Sequence, residues 1–465
     1  SDFIKILLEE PLIDENVDKA NNIRVIWYKI EDKENNSLNA ENIYKEDIEI
    51  FTRINMGKIP LTNAELIKAL LIQGYKDNDN KNNKQFELAS EWDFIEYSLQ
   101  NDDFWYFINK EKNEKATRIE FIFELISKKY SEDNKEKFPE LIDLDKLKSI
   151  DRYYEFHIIN HYLKEENQTP KIYEKLWSEV KNYFRILNEW YEDREFFHKI
   201  GFLIIYSKKT MLDFIAEYIK DNSTKKEFRD FLDTEIKKLF ENIDIEALSY
   251  GSNDNDIRKV LLWFNIATII KNEKSNLRFQ FDRYKKQNWD IEHINPQNPF
   301  DKIEHYVVWC MDTLEYLTGE TLNYDDLLKD NAEFENTYEE LILNLDEEHK
   351  AIVDEIIDIL NDKEDFKPKT EELAAKLFKK YKGDESENND QIFNLTLLDA
   401  VTNRSYGNSL FPIKRNTIIK NDKSGVFIPI CTKNVFLKYY SKKFTDVMFW
   451  KEEDAKAYQE NIEQV

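Results

Sequence analysis

The fold is decided by the stretch WDIEHINPQ, residues 289–297. It predicts a short strand that ends in an acid and a histidine, followed by a loop bent by proline. A second stretch, FNLTLL at residues 393–398, predicts another strand, and NRSYGN at residues 403–408 predicts a turn and the start of a helix. The resulting order of strand, loop, strand and helix would bring Glu292, His293 and Asn403 together at one end.

Such a convergence suits the hydrolysis of a phosphodiester bond. A neutral imidazole can accept a proton from water near pH 7. Carboxylate and amide oxygens are hard ligands that suit Mg²⁺, which keeps most of its waters. The metal would then stabilise charge that develops on the scissile phosphate.

These residues resemble the HNH, or ββα-metal, nuclease finger. The resemblance implies His293 as the general base, Glu292 and Asn403 as ligands of Mg²⁺ or Mn²⁺, and Asn394 as an orienting residue, with catalytic roles for Asn394 and Asn403. In this family the counterpart of Asn394 ties the loop that carries the histidine. The chain departs from the pattern because residues 298–392 separate the two halves. The plain alternative is a histidine that merely follows a strand.

The composition predicts a globular protein of two or three domains, since 465 residues with 41% hydrophobic side chains can build sizeable cores. Two cysteines provide no disulfide framework and fit a reducing cytoplasm. We find neither a signal peptide nor an apolar run of membrane-spanning length, so we expect a cytoplasmic protein without a membrane partner.

The net charge of −26 would repel nucleic acid, but it is unevenly distributed. Residues 401–450 carry nine Lys or Arg against two Asp, a net +7, whereas residues 302–390 carry ten against 26 acidic residues, a net −16. Charge and position predict that Lys414, Arg415, Lys420 and Lys423 contact phosphates of bound DNA. The alternative is that both stretches are ordinary solvated surfaces.

A third stretch, FTRINMGKIPLTNAELIK at residues 51–68, resembles a signature near the end of the ParB-like domain of GmrSD-type proteins. These are modification-dependent restriction enzymes and related phage-defence nucleases, in which a helical region and an HNH domain follow. The resemblance implies restriction of phage DNA, including base-modified DNA. The family's upstream Asp-Gly-Gln-Gln-Arg motif is missing, so a ParB-like NTPase region or a partner chain would have to supply it. Arg53 and Asn55 are candidate nucleotide-binding residues, with hydrogen bonding to loop carbonyls as the alternative.

The fold class is therefore predicted to be mainly α. Residues 1–75 would be the remnant of the ParB-like domain, residues 86–280 a helical domain, and residues 281–465 an HNH nuclease domain with an acidic helical insertion at 302–390. The rival to a DNA endonuclease is a catalytically silent helical scaffold that binds a partner through a structural finger. RNA remains the alternative substrate.

Overall fold

The structure is a computed structural model of the chain. It describes residues 61–74, 81–111, 115–137, 151–165, 170–220, 224–295, 306–324, 339, 342–343, 345–362, 365–381, 390–406, 409–441 and 449–464. Two compact units are distinguished, Ser1–Leu61 and Thr62–Val465. The candidate nucleotide-binding residues Arg53 and Asn55 lie outside the described residues, as does most of the predicted ParB-like segment.

Helices dominate the described residues, which confirms the expectation of a mainly α protein. The helices before the first strand are α1 (Asn63–Gly74), α2 (Lys81–Leu99), α3 (Asp102–Ile108), α4 (Glu120–Asp133), α5 (Tyr154–Glu165), α6 (Pro170–Glu192), α7 (Arg194–Tyr206), α8 (Met211–Tyr218), α9 (Lys225–Lys238), α10 (Asp254–Lys271) and α11 (Phe281–Lys286). They form because apolar side chains recur at helical spacing. In α6, for example, Leu176, Val180 and Leu187 are fully buried on one face.

Two strands and the remaining helices complete the unit. In chain order they are β1 (Trp289–His293), α12 (Tyr306–Thr318), α13 (Glu347–Asn361), α14 (Phe366–Tyr381), a 3₁₀ turn (Ile392–Asn394), β2 (Leu395–Asp399), α15 (Ala400–Tyr406), α16 (Phe411–Lys423), α17 (Ile430–Phe436) and α18 (Glu452–Glu463). The predicted insertion is thus helical where it is described. The strands β1 and β2 pair antiparallel, with Trp289 opposite Asp399 and His293 opposite Leu395.

One hydrophobic core runs from Ala64 to Ile462 and includes both strands. At its centre α7 packs against α10, α6, α9 and α3, and α10 also packs against β1 and β2. Gly201 in α7 permits a close approach, because a Cβ at this position would overlap the ring of Phe281. The domain boundary predicted between residues 280 and 281 crosses this shared core. It stays a prediction.

A second core belongs to the insertion. It joins α12, α13 and α14 through Trp309, Ile356 and Leu373, and it also includes Leu410 and Ile413 at the start of α16. The helix α12 packs against α15 and α16. The insertion is therefore packed onto the two helices that follow β2.

A buried lysine fixes the helix that leads into β1. Lys285 in α11 donates from Nζ to the carbonyl oxygens of Tyr106 at 2.6 Å and Asn109 at 2.7 Å, which ties α11 to the end of α3. Its burial lowers the pKa of the ammonium group to about 7. The entry to the strand pair is thus anchored on the helical region.

Candidate active site

The strand pair divides the side chains of β1 between two faces. Side chains alternate along a strand, so Asp290 and Glu292 share one face while Ile291 and His293 share the other. Glu292 lies opposite Thr396 in β2. The helix α15 follows β2 directly and contacts both strands. The described residues therefore show two antiparallel strands followed by a helix, in the order that the sequence predicts.

The carboxylate of Glu292 is buried and paired with an ammonium group. Glu292 is 6% exposed and Lys414 in α16 only 1% exposed. The Lys414 Nζ donates to Glu292 Oε1 and, at 2.7 Å, to the carbonyl oxygen of His293. Burial raises the pKa of Glu292, and the nearby charge of Lys414 opposes that shift. This burial does not fit the role in contacting flanking phosphates that the sequence suggested for Lys414, and we place the residue inside the site instead.

His293 is held by an acid from the far end of the insertion. Its Nε2 lies 3.1 Å from Asp390 Oδ1, and its ring packs edge-to-face on Tyr250 with ring centroids 4.9 Å apart. Because a carboxylate accepts hydrogen bonds, the Nε2 carries the proton and Nδ1 is the basic nitrogen. Burial lowers the pKa of His293, as does the charge of Lys414, while Asp390 opposes both effects. The imidazole is therefore neutral near pH 7.

Asn394 clamps the loop that follows His293. Its Oδ1 accepts from the backbone N–H of Asn295 at 2.9 Å, and its Nδ2 donates to the carbonyl oxygen of Asn295 at 2.9 Å. The backbone N–H of Ile294 also donates to the Asn394 carbonyl at 2.8 Å. These bonds fix the chain immediately after the histidine, and this is the contact that the resemblance implies for Asn394.

Asn403 is brought to Asp290. Its Nδ2 donates to Asp290 Oδ2 at 3.3 Å. The helix that carries it is capped by Asp399, whose Oδ1 accepts from the backbone N–H groups of Val401 at 3.1 Å and Thr402 at 2.9 Å. The amide oxygen of Asn403, which accepts no hydrogen bond from the residues that the structure describes, is the hard-ligand end of the group.

The oxygen groups on this face fit a magnesium ion in their chemistry. Asp290 and Glu292 supply carboxylates from one strand face, and Asn403, whose Nδ2 donates to Asp290, supplies an amide oxygen. Mg²⁺ is commonly held by one or two carboxylates and keeps several waters. Within the ranges that the structure describes, no three His, Cys, Asp or Glu side chains are arranged to hold a metal ion. Binding of Mg²⁺ here therefore depends on two carboxylates and one amide as ligands. It also requires that the ion pair between Lys414 and Glu292 breaks.

The other predicted phosphate contacts occupy different environments. Lys420 is about half exposed and pairs with Glu315 of α12. Lys423, at the end of α16, is exposed. Arg415 is partly buried, and its Nε has no hydrogen-bond partner among the described residues. Arg415 and Lys423 thus remain candidates for contacting a polyanion.

Sequence reasoning assigned no role to three residues of the site, namely Asp290, Tyr250 and Asp390. A signal for Asp290 existed, because strand periodicity places it on the same face as Glu292. Tyr250 and Asp390 gave no local signal. They meet through an isolated bridge between Ser249 and Gln391, and the Tyr250 N–H donates to the Asp390 carbonyl at 2.9 Å.

The chain was compared with protein-family models, curated proteins and solved structures. The chain matches no protein-family model, no curated protein and no solved structure. The similarity to HNH nucleases therefore rests on the sequence motifs alone. Among the helices of the described residues, none combines the length and the apolar character that crossing a membrane requires.

Proposed function

We propose that this chain is a metal-dependent endonuclease of the HNH type that cleaves DNA in the cytoplasm, in defence against phage. The observation that carries the proposal is the placement of His293. A neutral imidazole, held through Nε2 by Asp390, lies at the end of the strand that carries Asp290 and Glu292. A base, an orienting acid and a pair of carboxylates are the groups that hydrolysis of a phosphodiester requires.

In the proposed mechanism, Nδ1 of His293 takes a proton from the attacking water. The carboxylate of Asp390 then stabilises the imidazolium that forms, as an acid paired with a catalytic histidine does in other hydrolases. Asn394 keeps the loop after the histidine in place through its two bonds to Asn295. Asp290, Glu292 and Asn403 would hold a Mg²⁺ or Mn²⁺ ion, which supplies charge stabilisation at the scissile phosphate.

DNA is the proposed substrate, with base-modified DNA implied by the resemblance to GmrSD-type enzymes. Arg415 and Lys423 in α16 offer positive charge for the flanking phosphates. The same helix carries Lys414 into the site. Lys414 thus links the helix that would contact the nucleic-acid backbone to His293.

A structural finger without activity is the second candidate. The observation in its favour is the buried pair of Lys414 and Glu292, since an ammonium group already neutralises a proposed metal ligand. In that case the strand pair would serve only to join the helical region to the insertion.

Metal removal and restoration test the proposal. The chain is stripped with EDTA and incubated with supercoiled plasmid, or with a structured RNA, and with Mg²⁺, Mn²⁺ or Zn²⁺ as the only divalent ion. We expect nicking of the plasmid with Mg²⁺ or Mn²⁺ and none with Zn²⁺ alone, because the ligands are oxygen atoms. Cleavage of RNA alone would redirect the substrate assignment. No cleavage of either substrate with any ion would support the structural finger.

A further inference from the structure

The ammonium group of Lys414 lies beside the carboxylate of Glu292, where a metal ion bound to Glu292 would also have to lie. It is 1% exposed and bridges the carboxylate of Glu292 and the carbonyl oxygen of His293. Its position is fixed by packing, because Ile413 belongs to the core of the insertion while Phe411 and Ile418 belong to the main core. Lys414 is therefore held in place by the helix on which it lies.

The ion pair of Lys414 and Glu292 cannot stay intact when a divalent ion binds to Glu292. A buried carboxylate needs a partner of opposite charge, and Lys414 supplies one. A divalent ion at Glu292 would place two further positive charges beside a buried ammonium group, and like charges at such distances repel strongly away from water. Glu292 can therefore serve Lys414 or the metal ion as its main partner, but not both.

We propose that Lys414 is the internal cation of the metal-free site and that it competes with Mg²⁺ or Mn²⁺ for Glu292. The proposal rests on the proposed function, because it assumes that Glu292 is a metal ligand. When the metal binds, the ammonium group gives up Glu292 and keeps its bond to the carbonyl oxygen of His293. Lys414 is in this sense a positioning residue that sets the affinity of Glu292 for the metal ion.

The experiment measures Mn²⁺ binding calorimetrically on the full chain without DNA. We expect Lys414→Met to bind Mn²⁺ at least about tenfold more tightly than the natural chain, because the competing charge is gone. The matched control is Lys438→Met, which also removes a buried lysine from a carboxylate, here Asp454, but outside the site. The control should leave the affinity for Mn²⁺ unchanged. An unchanged or weaker affinity of Lys414→Met would overturn the proposal.

Thermal denaturation gives a second readout that does not depend on activity. Lys414→Met leaves Glu292 without its partner, so Mn²⁺ should raise its melting temperature more than that of the natural chain or of Lys438→Met. Equal shifts in all three proteins would count against the competition.

If Lys414→Met does not fold, the natural chain provides the test through the NMR signal of the Lys414 ammonium group. This signal should shift when Mg²⁺ saturates the site, and a signal that does not change would overturn the proposal. If the chain cleaves plasmid but Lys414 does not compete with the metal ion, this inference is refuted and the proposed nuclease function stands. If Lys414 competes with the metal ion but the chain cleaves no plasmid, the nuclease function is refuted and this inference stands.

Discussion

Buried His198 and partly buried His293 show how the surroundings of an imidazole separate a structural from a chemical role. His198 is fully buried, with Nδ1 2.6 Å from the carbonyl oxygen of Arg194 and Nε2 accepting from the N–H of Phe279 at 3.0 Å. Both of its nitrogens are thus committed to the backbone. His293 is bound through Nε2 to the side chain of Asp390, which leaves Nδ1 to act as a base. The first histidine stabilises the fold, and the second is suited to proton transfer.

His198 predicts a loss of stability in acid. Burial lowers its pKa from 6.5 to about 4. Between these values the unfolded chain binds a proton that the folded chain does not, so stability rises with pH across this window and is lost as pH falls through it. The contribution is at most about 3 kcal/mol, at roughly 1.4 kcal/mol per pKa unit.

The test compares urea unfolding of the natural chain and of His198→Gln at pH 7 and pH 4.5. The difference in free energy of unfolding should shrink at the lower pH, because only the natural chain has the histidine to titrate. A difference that stays constant with pH would contradict this account of His198.

At the scale of elements, the contact between α12 and α16 links the acidic insertion to the basic helix. Lys420 of α16 pairs with Glu315 of α12. Burial raises the pKa of the neighbouring Asp312 to about 6, while Lys420 opposes this shift. Shortening the insertion would also expose Leu410 and Ile413, which belong to its core. A single broken ion pair therefore tests the influence of the insertion on DNA binding more cleanly than a deletion.

Glu315→Ala should strengthen DNA binding and steepen its salt dependence. The change releases Lys420 for one further phosphate contact. Each such contact steepens the fall of log affinity with log salt concentration by about 0.9 on duplex DNA. The measurement is fluorescence anisotropy of labelled duplex across a salt series. Glu355→Ala is the matched control, since it removes the same charge from a pair with Lys376 inside the insertion. If Glu315→Ala and Glu355→Ala give the same slope, Lys420 does not contact DNA.

The sequence could predict local elements of the site but not the contacts between distant segments. The stretches at residues 289–297 and 393–398 indicated both strands, and the motifs indicated Glu292 and His293. The bond of His293 to Asp390 spans 97 positions, and that of Lys414 to Glu292 spans 122. Such pairs are set by packing of whole helices, which no spacing in the chain encodes. Lys414 was therefore assigned by its charge to the surface, although α16 carries it into the interior.

At the scale of the molecule, the site is built by the helical region as well as by the strands. Tyr250 packs on His293, and Leu248 accepts from the N–H of Ile392 at 3.2 Å, so residues just before α10 hold the segment that carries Asp390. Arg258 of α10 donates to the carbonyl oxygen of Trp289 in β1. Residues 281–465 by themselves would lack these supports. The main core shared by residues 64–462 is thus part of what positions the base.

The measurement that tests the central claim most directly is single-turnover nicking of supercoiled plasmid by His293→Ala. The natural chain, the variant and the control His157→Ala are each used in excess over DNA with Mn²⁺. His157 is an exposed histidine of α5 that pairs with Asp151, so the control removes an imidazole outside the site. We predict that His293→Ala nicks about 10²–10⁴-fold more slowly, the usual cost of losing a positioned general base, while its melting temperature and DNA affinity stay close to those of the control. A nicking rate of His293→Ala equal to that of the natural chain would contradict the account.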